Sequence, residues 1–368
     1  MNLVTEHNVN PNLVSLYDFE SQAKQNLPGD IWDFIDAGAF DEITSRRNRT
    51  ALDSIALRPR FLRGVNDIDI STTVLGTPIS FPVIIAPAAG HCVAHQDGEL
   101  ATALGTSKSD TLMVAATNSD YTMEEISKTT QTPKWFQLYH RSQNATEVLV
   151  NRAQLSGYQA ICLTIDTPVP SSKEKDVRNR FQGPFKNGNF IGMEVPDVQE
   201  ETPNWINLDR LNLTWKDIEW LRKLTDLPLI LKGIRTAEDS KLAVDHGVDG
   251  IFVSNHGGRQ IDMTLSSIET LQEINEAVNG KIEIYLDSGI RRGSDVLKAL
   301  ALGARAVAIG RPLFWGLSVD GAEGVHRILE ILREELTRAM AYCGQKSVTH
   351  LEQGMLSIPG DWATRTVL

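Results

Sequence analysis

Cysteine is scarce: three residues in 368, Cys92, Cys162 and Cys343, with no C-x-x-C pair and no Cys/His ligand spacing. That excludes a disulfide framework and gives no sign of a zinc site or any other metal site, so buried, reduced thiols are expected. Positive charge is in deficit as well, 36 Lys and Arg against 47 Asp and Glu, for a formal net charge of −11. A field of that sign repels nucleic acid and anionic membranes. The short basic run Arg46-Arg47-Asn48-Arg49 reads as the solvated or salt-bridged face of a helix. No stretch approaches the roughly 18 apolar residues of a membrane-spanning helix, and the first residues lack the basic and apolar regions of a signal peptide. A cytoplasmic protein with neither nucleic acid nor membrane as partner is the expectation.

What is present is an ordinary globular composition, 41% hydrophobic and 23% charged, with apolar material for a substantial core. The length suits two or three domains, or one large barrel domain of about 250 residues with additions. Residues 14 to 38 read as two short helices split by Leu27-Pro28-Gly29, with Pro28 opening the second and Gly38 closing it. From residue 82 onward, apolar β-branched runs alternate with amphipathic stretches. The predicted strands are Pro82–Ala86, Leu112–Ala116, Trp135–Tyr139, Ala160–Ile165, Leu227–Leu231, Gly250–Ser254, Ile282–Leu286 and Ala306–Ile309. Helical spacing lies between most pairs, at Glu99–Ser107, Thr146–Ser156, Ala237–His246, Ile268–Val278 and Gly293–Leu302. Strands this uniformly apolar belong to a parallel sheet covered on both faces.

The pattern predicts an α/β fold, a (β/α)8 TIM barrel forming a single domain over residues 1–368, its core at about 80–345, with an N-terminal helical lead-in. A doubly wound sheet is the alternative, but no G-x-G-x-x-G follows the first strand. From Phe181 to Leu213 runs a Gly-, Pro- and Asn-bearing segment with little periodicity, read as a lid over the barrel mouth after the fourth strand.

Barrel enzymes carry their reacting groups at the C-terminal ends of the strands. The sharpest such end here is Ser254-Asn255-His256-Gly257-Gly258-Arg259-Gln260. His256 suits a general base, and Arg259 suits a bidentate grip on a carboxylate. Asp166 ends another strand and could fix the tautomer of a neighbouring histidine, although sequence separation alone does not bring it to His256. Lys232 closes the apolar run LPLILK, where an ammonium is costly unless it faces an anion, either as a Schiff-base nucleophile or as a fixed charge. Asp287-Ser288-Gly289-Ile290-Arg291 and Gly310-Arg311 end the last two strands, the usual phosphate corner of this architecture. Gln137 and Tyr139 end the third.

SNHGGRQ is the most specific of these strings. With LPLILKG, LTIDTP, KDVRNRF, LDSGIRRG and ALALGARAVAIGRP in the same order, the chain from about Leu16 to Gly344 resembles the FMN-dependent α-hydroxy-acid oxidase family, which includes glycolate and lactate oxidases. APAAGHCVAH and Ser288 look closer to bacterial lactate oxidases than to plant glycolate oxidases. The resemblance implies FMN as cofactor, a small 2-hydroxy acid and O2 as reactants, hydrogen peroxide as product, and a homotetramer. It implies that His256 takes a proton while hydride or its electron equivalent reaches flavin N5, that Asp166 orients His256, and that Arg259 and Tyr139 bind substrate. Lys232 would stabilise the anionic reduced flavin. Pro87, Ala88, Ala89 and Thr117 would line the flavin, Gln137, Thr164 and Ser254 would hydrogen-bond its ring, and Asp287, Ser288, Gly289, Arg291, Gly310 and Arg311 would hold its phosphate.

Three residues depart from the family pattern, all at substrate-facing positions. Phe34 replaces the usual tyrosine, Lys173 the usual arginine, and Asn118 a bulky aromatic. These point to a substrate larger or more polar than glycolate. Two other readings stand beside this one: a Schiff-base aldolase built on Lys232, and an FMN-binding barrel with a changed substrate or lost activity. No motif separates oxidase, dehydrogenase and monooxygenase outcomes.

Overall fold

A computed structural model describes residues 12–193, 212–360 and 362. Its centre is a closed barrel of eight parallel strands: β1 Val83–Ile85, β2 Met113–Ala116, β3 Lys134–Leu138, β4 Ile161–Thr164, β5 Leu229–Ile234, β6 Gly250–Val253, β7 Glu283–Leu286 and β8 Ala306–Ile309. Each pairs with its neighbours in sequence, and β8 closes on β1 with Val307 opposite Val83. A helix follows every strand, which makes the (β/α)8 expectation correct and excludes the doubly wound sheet.

The apolar strands are explained by two separate packing layers. Ile84, Val114, Trp135, Cys162, Ile230, Phe252, Tyr285 and Ala308 point inward and fill the barrel. The alternating residues, among them Val83, Met113, Phe136, Ile161, Leu229 and Val307, point outward against the helices. A hairpin of Thr72–Val74 and Thr77–Ile79 inserts Val74 and Ile79 into the inner layer as a floor. Cys162 and Cys343 are buried as expected, but Cys92 is half-exposed beside the first strand's end. Among the described residues no helix is long and apolar enough to cross a membrane.

The lead-in is α1 Leu16–Asn26, α2 Gly29–Asp36 and α3 Ile43–Ser54. Pro28 caps α2 at its start, as expected, but Ala37 and not Gly38 caps its end. Gly38 serves packing instead, since a Cβ there would meet Ser45 Cβ at 3.0 Å. The basic run on α3 is salt-bridged, not an anion site. Arg47 forks onto Glu269 at 2.6 and 2.7 Å, and Arg49 reaches Asp295 at 2.6 Å. The predicted lid is described only to Met193; residues 194–211 lie outside the described residues, as do the first eleven.

Burial pushes the Glu269 carboxyl up, but Arg47 and two hydrogen bonds from Ser266 outweigh it and hold it at about 2. A carboxylate depressed in the folded state stabilises at pH values above its unfolded pKa. Glu269→Gln should therefore cost about 1–2 kcal/mol in denaturant unfolding at neutral pH, reduced by the partial exposure of Arg47. The gap between variant and parent should close as pH falls from about 4.5 through about 2.

Candidate active site

One rim of the barrel gathers the predicted strand ends around a cavity of about 320 Å³. Its lining includes Phe34, Pro87, Ala88, Ala89, Gln137, Tyr139, Thr164, Lys173, Lys232, His256, Arg259, Asp287, Ser288, Gly289, Arg291, Gly310 and Arg311. β5 runs past its predicted end to Ile234, and a register irregularity between Lys232 and Ile234 marks that extension. Lys232 is 3% exposed, with Nζ donating to Ser254 Oγ at 2.9 Å and 3.2 Å from Asp287 Oδ2. Burial alone would lower its pKa, yet the charges of Asp287 and Asp166 raise it above the usual lysine value. The ammonium is a fixed charge.

His256 and Asp166 do meet, ninety positions apart in sequence: Nδ1 lies 3.1 and 3.3 Å from the two carboxylate oxygens. Gly233 makes the approach possible, because a Cβ there would lie 2.6 Å from Asp166 Cβ. Burial raises the Asp166 pKa, but His256 and Lys232 more than reverse that and hold it below the ordinary carboxylate range. A carboxylate acceptor at Nδ1 sets the tautomer in which Nδ1 carries hydrogen, leaving Nε2 as the acceptor. His256 has φ 57°, a left-handed conformation that few side-chain-bearing residues adopt.

Three arginines crowd the same cavity, and among the described residues none has a carboxylate within ion-pair distance. Arg311 donates to the carbonyls of Ile35, Asp36, Ala37 and Gly257. Arg259 donates to Ile35 and Ala37. The Arg291 guanidinium donates to the Ile290 carbonyl and stacks on Trp315, with its Cζ 4.7 Å from the ring centre. Burial and the neighbouring Arg311 pull Arg259 and Arg291 down to about 10, which still leaves both charged at neutral pH. The last turn of α2 thus presents its free carbonyls, the negative end of the helix, to two cations.

FMN, the implied cofactor, fits these residues. Uncompensated arginines at the ends of β7 and β8 match a dianionic phosphate, and no atom occupies the space a Cβ would take at Gly310. The small side chains of Ala86, Pro87, Ala88, Ala89, Ala116 and Ala308 leave a slot for a flat ring, with the Lys232 charge at its edge.

The expected residues fall into two groups. Thr117, Asn118, Asp166 and Ser254 stand behind the cavity wall, not in it. Thr117 is fully buried, its hydroxyl donating to the Gln137 carbonyl at 2.7 Å and accepting from Tyr139 N at 2.9 Å. Asn118 turns toward Arg141, whose Nη2 is 3.5 Å from its Oδ1, so its replacement of an aromatic does not enlarge the cavity directly. The Asp287 carboxylate engages Lys232 and Ser288. Phe34 and Lys173 do line the cavity. Phe34 stacks on Phe181 with centroids 4.7 Å apart and lies 5.4 Å from Phe185, so the described part of the predicted lid reaches the mouth. Lys173 sits 3.5 Å from Asp176. Ile35, Gln260, Ile290 and Phe314 also line the cavity; Gln260 and Ile290 lie inside the strand-end motifs and Ile35 follows Phe34, but no local signal marked Phe314.

Comparison with known proteins places the chain in a family. The sequence profile of FMN-dependent dehydrogenases matches residues 23–358. The chain is 44% identical over 358 residues to an L-lactate oxidase of Nostoc sp., covering 94% of this chain and 98% of that one. It is 42% identical to a peroxisomal (S)-2-hydroxy-acid oxidase of Oryza sativa subsp. japonica, covering 95% and 97%. A crystal structure of mandelate oxidase with benzoyl-formic acid superposes with a TM-score of 0.85 at 39% identity, covering 94% and 98%.

Arg291→Met and Arg311→Met should each weaken FMN binding about ten- to hundredfold, the value of a charge-assisted hydrogen bond. Quenching of flavin fluorescence on titration into the apoprotein measures this. Unchanged affinity in both variants would move the phosphate site elsewhere.

Proposed function

The chain belongs to the FMN-dependent dehydrogenase family and is a 2-hydroxy-acid oxidase; we propose that it oxidises an L-2-hydroxy acid, lactate-like or larger, to the 2-oxo acid, with the roles set out below. The observation that carries this reading is His256, held from behind the wall by Asp166, facing the same cavity as Arg259 and Lys232. Bound FMN would take two electrons from the substrate and return them to O2, giving hydrogen peroxide.

The protein's own contribution is to bind, orient and move a proton. Arg259 uses Nη1 on the Ile35 and Ala37 carbonyls, which fixes its plane and leaves its other donors for the substrate carboxylate. His256 accepts the substrate proton at Nε2, and Asp166 stabilises the imidazolium that results. Tyr139 lines the cavity with a phenol suited to the substrate's oxygen. Gln137 donates to Thr164 Oγ1 at 2.9 Å, an arrangement that holds both against the ring slot. Lys232 keeps a positive charge beside that slot.

A Schiff-base aldolase needs a neutral amine, and a buried lysine whose pKa is raised by two carboxylates has no lone pair to offer. Loss of activity is disfavoured by the intact base pair. Phe34 removes a hydroxyl from the carboxylate grip, so Arg259 carries most of it; Lys173 keeps its charge without the planar fork. The closeness to bacterial lactate oxidases, a homotetrameric assembly and a cytoplasmic location are further proposals that rest on resemblance and composition; a relative named peroxisomal keeps the compartment a point to test.

Anaerobic addition of L-lactate and larger L-2-hydroxy acids to the purified protein should bleach its visible flavin band with at least one acid, and air should restore it with release of hydrogen peroxide. His256→Ala should slow bleaching by on the order of 10²–10⁴, leaving the flavin bound. Phe34→Tyr should lower KM for the smallest acid by about tenfold or more, the worth of a hydrogen bond to a charged group.

A further inference from the structure

The lead-in helix α3 touches the catalytic loop through a buried pair of amides that the chemistry above leaves unused. Asn48 is 2% exposed and Asn255 3%. They bond reciprocally: Asn48 Nδ2 donates to Asn255 Oδ1 at 3.0 Å, and Asn255 Nδ2 donates to Asn48 Oδ1 at 2.7 Å. Asn255 Oδ1 also accepts from Gly258 N at 3.0 Å, closing the loop on both sides of His256. The first turns of α3 press on the same loop. Thr44 N donates to Asp262 Oδ1 at 2.7 Å, and a Cβ at Gly258 would lie 2.5 Å from Ser45 N.

We propose that Asn48 is a positioning residue for His256, acting through Asn255 to hold the 255–258 turn in which His256 keeps its left-handed backbone. The proposal rests on His256 being the base. The physical ground is that a non-glycine residue in this conformation persists only where its surroundings over-determine it. Asp166 restrains the ring at Nδ1, and the amide pair restrains the backbone that carries the ring. Only an amide can both donate and accept in this reciprocal geometry; a carboxylate keeps one half, and an alanine leaves two buried polar atoms of Asn255 without that partner. Arg259, in the same loop, is held separately by the carbonyls of α2, so loosening the turn moves the base and spares the carboxylate grip.

The test compares Asn48→Ala and Asn48→Asp with the parent holoprotein for FMN affinity by fluorescence, for kcat and KM with the acid that bleaches the parent, and for melting temperature. The same two changes are then made in a His256→Ala background. Asn48→Ala should lower kcat by on the order of 10–100-fold, as expected for a displaced reacting group, with KM and FMN affinity within about threefold. Asn48→Asp should lie between. In the His256→Ala background neither change should lower the residual rate further, because the group it positions is gone. If Asn48→Ala does not fold, Asn48→Asp carries the same comparison. A lower melting temperature with unchanged kcat, an equal loss in the His256→Ala background, or a loss confined to FMN affinity would overturn the proposal. Full activity of His256→Ala alone would instead overturn the assignment of the base.

Discussion

Cations crowded at the mouth of the barrel need anions or dipoles, and much of the surrounding structure answers that need. Lys232 is neutralised within the protein by Asp287, with Asp166 near enough to reinforce it. Among the described residues, the guanidinium groups of Arg259, Arg291 and Arg311 are met by carbonyls, the Ser45 hydroxyl and ring faces, with no carboxylate in ion-pair range. The difference is functional. A paired lysine is a permanent part of the wall, whereas arginines satisfied by dipoles keep their net charge available to anions. The overall charge of −11 conceals this local excess.

The same need accounts for the lead-in helices. α2 ends against the cavity with carbonyls of Ile35, Asp36 and Ala37 free of helical partners, and these accept from two arginines at once. α3 ties itself to the barrel through Arg47–Glu269 and Arg49–Asp295 and sets Asn48 beneath the catalytic turn. Segments outside the eight-fold repeat thus build one wall of the site. Phe181 and Phe185, from the segment after β4, add an aromatic face above Phe34. These rings and Lys173 lie at the mouth of the cavity, apart from His256 and Lys232 at the strand ends.

Much was legible in order along the chain. Continuous apolar runs separated by helical spacing are what a parallel barrel buried on both faces requires, so β8 was read to the residue and the other strands to within a few residues. The end of β5 was missed because Lys232 and Gly233 look like a turn; the strand continues because Lys232 finds Asp287 and can stay buried. Asn118 was expected to face substrate from the family resemblance, which puts a bulky aromatic at that position. The structure turns it toward Arg141 because Thr117 is fastened to the third strand through Gln137 and Tyr139.

The sequence by itself determined the barrel, the strand ends at which chemistry gathers and the residue types that identify a flavin-dependent 2-hydroxy-acid oxidase, because periodicity and short motifs are local properties. Tertiary structure alone decided which of those groups meet. The Asp166–His256 contact, the Lys232–Asp287 pair, the carbonyl collar of α2 and the Asn48–Asn255 bridge join residues 55 to 276 positions apart. Closing a barrel brings all strand ends to one rim, and only that closure makes these distances short.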